Sequence, residues 1–171
     1  TKKPSEKELK DIILQQVRKS GFGDDRKQKE LSILAMKIVS RWVRTRLGEI
    51  SKSRKNEQSV SISDDRFPYL NVYGKIDLIE NLGQENARVT DFKTGSVRKK
   101  RDIEKIDEEG RMSGYLRQLV MYSYLIKQSP KWKVNVSESR LEFVEAKNDA
   151  EIFYHTVISD EQISLIVKDI A

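Results

Sequence analysis

The first fifty residues carry apolar side chains three and four positions apart, the spacing of helices with one buried stripe. Residues 5–19 (SEKELKDIILQQVRK) read as a short amphipathic helix closed by Gly21 and Gly23. From Asp25 to Leu47, the residues Leu31, Leu34, Ala35, Ile38, Val39 and Trp42 keep helical spacing. Asp24 or Asp25 can cap the start, and Gly48 stands where a glycine C-cap belongs. The period then changes from helical to alternating. QSVSISDD alternates Val60 and Ile62 with serines, and YLNVYGKIDLIEN and ARVTDFKTG flank a polar turn, LGQENA, centred on Gln84. Together these predict a strand followed by a hairpin.

Residues 96–112 (SVRKKRDIEKIDEEGRM) are dense in charge, lack an apolar stripe and predict a mobile loop. GYLRQLVMYSYLIKQ is apolar almost all round, which predicts a deeply buried helix ended by Pro130. LEFVEA and EIFYHTVI predict two more strands, and Ser159 with Gln162 makes a capping-box pattern ahead of a last helix. The order α-α-β-β-β-α-β-β-α predicts an α/β fold, a mixed sheet flanked by helices. A single domain is expected, helical over 1–48, with the sheet part over 57–171.

Composition narrows the partners. Of 171 residues, 33 are Lys or Arg against 27 Asp or Glu, a formal net charge of +6 that suits a polyanion such as DNA. There is no cysteine, so disulfides and thiolate metal sites are excluded. No apolar run approaches the roughly 18 residues that cross a bilayer, and the first residues lack a signal-peptide pattern. A soluble, cytoplasmic protein is expected. The chain opens at Thr1 rather than Met, as expected of a fragment of a longer protein.

Two acids stand out against the apolar pattern. Asp77 and Asp91 sit inside the two hairpin strands, and a turn centred on Gln84 sets them about opposite each other. Alternation puts Asp91 and Lys93 on one face and Phe92 on the other. Like charges across a strand pair cost about 0.2–1 kcal/mol, and burial costs more. A hard divalent cation removes that penalty, since Mg²⁺ takes one or two carboxylates together with water and phosphate oxygens. Lys93 beside such a site could stabilise charge at a reacting phosphate or position the attacking water. The plainer alternative is two solvated acids at strand ends with an Asp91–Lys93 surface pair. Gln118 and Tyr122, four residues apart on the apolar helix, share one face and call for polar partners. Tyr122 by itself fits equally well as a core aromatic with a satisfied hydroxyl.

These residues form the series G-x-x-D, D-x-K-T-G, Q-x-x-x-Y, which resembles the RecB-like branch of the PD-(D/E)XK nuclease superfamily. It is most similar to the nuclease domain at the C-terminus of UvrD/Rep-type helicases. The resemblance implies a restriction-endonuclease-like core and a Mg²⁺- or Mn²⁺-dependent deoxyribonuclease that works beside a helicase in DNA repair or recombination. It implies Asp77, Asp91 and the Phe92 carbonyl as metal ligands, with Glu57 as a further acidic position. Lys93 is implied as catalytic, and Gln118 and Tyr122 as supporting groups. Arg98, Lys99 and Lys100 after the D-x-K strand, and Arg117 on the helix, are the candidate phosphate contacts, although the acids of the same loop favour a solvated segment. Family members also carry an early G-x-x-x-H histidine. The single histidine, His155, matches no motif position and reads as a hydrogen-bonded strand residue, so the His-bearing helix is expected upstream of Thr1. Two alternatives stay open: a catalytically silent DNA-binding or scaffold module with the same fold, and an unrelated ligand-binding α/β domain.

Overall fold

The computed structural model describes residues 3–170, and the chain divides into two compact units, Thr1–Ile50 and Ser51–Ala171. The boundary falls in the interval between the helical and sheet parts expected from sequence. In the first unit, α1 (Glu6–Ser20) starts at a capping box in which Ser5 and Glu8 bond each other's backbone N–H groups. Gly21 ends it in the left-handed conformation, φ 61°. The α1 stripe Leu9, Ile13 and Val17 packs with Val43, Val39 and Trp42 of α2 (Asp25–Arg46). The expected glycine cap at Gly48 is not formed. Leu47 closes α2 in a right-handed helical conformation, and Gly48 is not among the residues at positive φ.

In the second unit the two hairpin strands are β2 (Asn71–Gly83) and β3 (Asn86–Lys93). Their loop is Gln84–Glu85, with φ 49° and 60°, the two-residue geometry whose twist matches the flanking strands. The first strand, β1 (Arg54–Ser63), starts four residues before the alternation at Gln58 because Arg54–Asn56 pair with Glu80–Leu78. Helix α4 (Gly114–Gln128) leads to β4 (Asn135–Phe143), which runs parallel to β3. A short 3-10 turn (Asp149–Glu151) precedes β5 (Phe153–Thr156). The sheet order is β1-β2-β3-β4-β5, antiparallel except at β3–β4, a mixed sheet as expected. The final helix, α5 (Asp160–Ile170), begins at the predicted Ser159–Gln162 capping box.

Strand β4 also starts earlier than its apolar stretch. Residues 135–140 are polar, yet they continue the β3 ladder. The expected mobile loop over 96–112 is instead organised. Helix α3 (Lys100–Ile103) places Ile103, fully buried, against Leu119, Leu141 and Phe143. Ser113 both caps α4 and donates to the Ile103 carbonyl. One buried isoleucine anchors a charged segment that has no stripe.

Helix α4 covers the β3–β4 face that bears Asp91, Ser139, Leu141 and Phe143. Leu119 packs on Leu141 and Phe143, Ser123 and Ser139 share a hydrogen bond, and Tyr122 reaches Asp91. This contact positions the site.

Candidate functional site

Strand alternation sets Asp91 and Lys93 on one face of β3, and Lys93 Nζ lies 2.7 Å from Asp91 Oδ2. The β2–β3 register ends at Leu78↔Thr90. Asp77 and Asp91 are therefore the next residues outward on their strands, where the ladder opens. There the Phe92 N–H donates to Asp77 Oδ2 at 2.9 Å instead of to a strand partner. A side chain replaces a backbone acceptor, and the two acids are held together.

Gln118 ties the centre to α4. Its Nε2 donates to Asp91 Oδ1 at 2.7 Å and to the Tyr122 hydroxyl at 2.8 Å, while its Oε1 accepts from Lys93 Nζ at 2.5 Å. The amide has one workable orientation, because a flip would set its NH₂ against the ammonium. Tyr122 donates to Asp91 Oδ1 at 3.1 Å. The i, i+4 pair expected from sequence to need polar partners finds them at Asp91 and Lys93. Tyr115, one turn before Gln118, lies under the Lys93 ammonium at 5.4 Å from its ring centroid. Sequence reasoning passed over Tyr115, although its i−3 spacing from Gln118 marks the same helix face.

Asp91 is 3% exposed. Burial pushes its carboxyl above the ordinary aspartate value, Lys93 pulls it back, and Asp77 raises it again. Burial likewise pushes the Tyr122 phenol up, with Asp91 adding to the rise. Although Asp91 Oδ2 is close to Lys93, it is buried without a partner in hydrogen-bonding geometry. An acceptor with this much negative charge suits a cation. Asp77, Asp91 and the Phe92 carbonyl form an all-oxygen donor set, which fits Mg²⁺ or Mn²⁺ and disfavours soft metals. Among the described residues, no group of three or more His, Cys, Asp or Glu side chains could hold an ion. The donor set thus stands at two carboxylates and one carbonyl, and Mg²⁺ sites leave the remaining positions to water and substrate phosphate.

The other predicted residues lie farther out. Glu57 occupies a left-handed position within β1, φ 49°, and its carboxylate pairs with Lys75 at 2.7 Å. Arg98 and Lys99 are exposed just before α3. Lys100 lies 3.7 Å from Glu104, and Arg117 pairs with Asp169 at 3.1 Å. His155 is on β5 with Nδ1 2.5 Å from Glu138, the strand hydrogen bond expected of it.

Comparison with known proteins agrees with this geometry. The chain is similar to the solved structure described as "Putative exonuclease" from Eubacterium rectale, at 14% identity and a TM-score of 0.52 over 82% of this chain. It spans half the length of that protein. A second solved structure, of SSO0001, aligns over 94% of this chain and 72% of its own at 11% identity and a TM-score of 0.41. A search of curated proteins gives no significant match. The model of the PD-(D/E)XK nuclease superfamily matches residues 1–171, so the chain belongs to that superfamily.

Proposed function

We propose that the protein is a divalent-cation-dependent deoxyribonuclease that hydrolyses phosphodiester bonds at Asp77, Asp91 and Lys93. The single observation that carries this reading is Asp91, a buried carboxylate kept close to a second acid and aligned by Gln118 and Tyr122. Asp77, Asp91 and the Phe92 carbonyl would hold Mg²⁺ or Mn²⁺. When bound, the ion supplies charge neutralisation at the phosphate and acidifies water. As water attacks phosphorus, one P–O ester bond breaks, the water loses a proton and the leaving oxygen gains one. Lys93 is placed to donate to a phosphate oxygen as charge accumulates there, and Gln118 and Tyr115 hold its ammonium in place. Tyr122 and Gln118 keep Asp91 Oδ1 fixed, leaving Oδ2 for a cation.

The series G-x-x-D, D-x-K-T-G, Q-x-x-x-Y supports placing the domain in the RecB-like branch, beside a helicase in repair or recombination. DNA-stimulated ATP hydrolysis by the parent protein would support that placement, and its absence would count against it.

A second reading, a silent DNA-binding module with the same fold, is favoured by one observation: Lys93 already occupies the neighbourhood of Asp91 Oδ2. Cleavage of labelled single- and double-stranded DNA with Mg²⁺ or Mn²⁺ separates the two. Wild type should cut, while Asp91→Ala and Lys93→Ala should fall by roughly two to three orders of magnitude. Equal cleavage by all three proteins would remove the assigned roles. Salt-sensitive DNA binding without cleavage would favour the silent module.

A further inference from the structure

A cleft of about 470 Å³ opens beside the centre, with Tyr73 and Lys75 of β2 on one wall and Arg117, Gln118 and Met121 of α4 on the other. We propose that Tyr73 is a stacking platform for an unpaired DNA base lodged in this cleft, so that a single strand is the form of DNA held beside Asp77 and Asp91. The proposal rests on the nuclease reading for the identity of the polymer.

Four observations carry it. The Tyr73 residue is 62% exposed, while its hydroxyl lies 3.3 Å from Ser59 Oγ, which fixes the ring without covering it. A rigid aromatic with an open face loses little entropy when a base stacks on it. Next to it, a Cβ on Gly74 would lie 2.5 Å from Leu125 Cδ1, so β2 comes this near to α4 because position 74 has no side chain. That approach sets Tyr73 at the helix. Lys75 and Arg117 supply cations on the two walls, each paired to a surface acid, Glu57 or Asp169. Exposed pairs are worth about 0–1 kcal/mol, so phosphate can displace either acid. Finally, Gln118 and Tyr122 line the cleft and also bond Asp91. A nucleotide in the cleft therefore lies next to a phosphate at the centre. In a duplex both faces of each base are covered by neighbours, and an unpaired base has a face free for Tyr73.

The test is fluorescence anisotropy with a labelled single-stranded oligonucleotide and a blunt duplex of the same sequence. The full chain is used in EDTA, so that nothing is cut, as wild type, Tyr73→Phe, Tyr73→Trp and Tyr73→Ala. Tyr73→Ala should weaken single-strand binding roughly 5- to 150-fold, the range for one base–aromatic stack. Tyr73→Phe and Tyr73→Trp, which keep a ring, should stay within about threefold of wild type, and duplex binding should not change. Loss in Tyr73→Phe equal to that in Tyr73→Ala would overturn the proposal, as would unchanged single-strand binding by Tyr73→Ala, equal losses on duplex, or no single-strand binding by wild type. Cleavage is read separately with Lys93→Ala. A protein that binds through Tyr73 but never cuts DNA refutes the nuclease reading and leaves the stacking platform standing.

Discussion

The two faces of β3 carry charge in opposite ways. On the face away from Asp91, Arg88 lies 2.7 Å from Glu138 and 3.5 Å from the fully buried Glu80. Glu138 also receives Arg140 at 3.3 Å and His155 at 2.5 Å. Burial would raise the Glu138 carboxyl, but His155, Arg88 and Arg140 outweigh it and hold the group below the ordinary glutamate value. On the other face, Asp91 and Asp77 share one ammonium, and burial wins: the Asp91 carboxyl is pushed up. One network closes its charge with protein groups. The other leaves negative charge open in a buried place, which lowers stability unless a ligand completes it. An open balance of this kind marks a site, and a closed one marks structure.

Substitutions can break this contrast. The largest effect should come from Lys93→Ala and Asp91→Ala, with cleavage falling by about 10²–10³-fold or more, measured on labelled DNA in Mg²⁺ or Mn²⁺. Glu138→Ala on the opposite face should instead cost stability, roughly 2–3 kcal/mol by denaturant unfolding, because Arg88 and Arg140 lose a carboxylate partner. Its cleavage rate should stay near wild type at temperatures where it is folded. The same network sets an acid limit. A carboxyl whose folded value is lowered stabilises the fold above the ordinary glutamate value, and that contribution is lost as pH falls through the folded value. Unfolding curves at successively lower pH, starting near 5, should show this loss in wild type and a weaker dependence in Glu138→Gln. Asp91→Asn should move the other way and raise the melting temperature by about 2–4 °C at neutral pH, if removing the buried charge gains about 1 kcal/mol. The smallest effect is expected from Tyr122→Phe, which deletes one bond to Asp91 and should cost about 1 kcal/mol and a few-fold in rate.

The sequence made most of the sheet legible because apolar alternation and turn residues act locally. It showed the β2–β3 hairpin, the buried α4 and both capping boxes. The polar first half of β4 was not legible, since Glu138 and Arg140 are stabilised by partners on β3 and β5 that no local window contains. Ile103 was missed for a related reason: one apolar residue makes no periodicity, yet its burial organises the whole 96–112 segment. At the site, Asp77, Asp91, Lys93, Gln118 and Tyr122 were each visible as polar residues in apolar surroundings. What the sequence could not give is the set of bonds among them, in particular the Phe92 N–H on Asp77 and the single orientation of the Gln118 amide. Tyr73 was read as a strand residue, and its meaning comes from the cleft across from it.

The central claim is that Asp77 and Asp91 leave a charge that a divalent cation completes. Calorimetric titration of Mn²⁺ into the full chain tests it most directly, comparing wild type with Asp77→Ala and Asp91→Ala, each checked for folding. The account predicts binding by wild type that is lost in both variants while their melting temperatures hold or rise. Equal binding by all three proteins, or none by wild type, would contradict it.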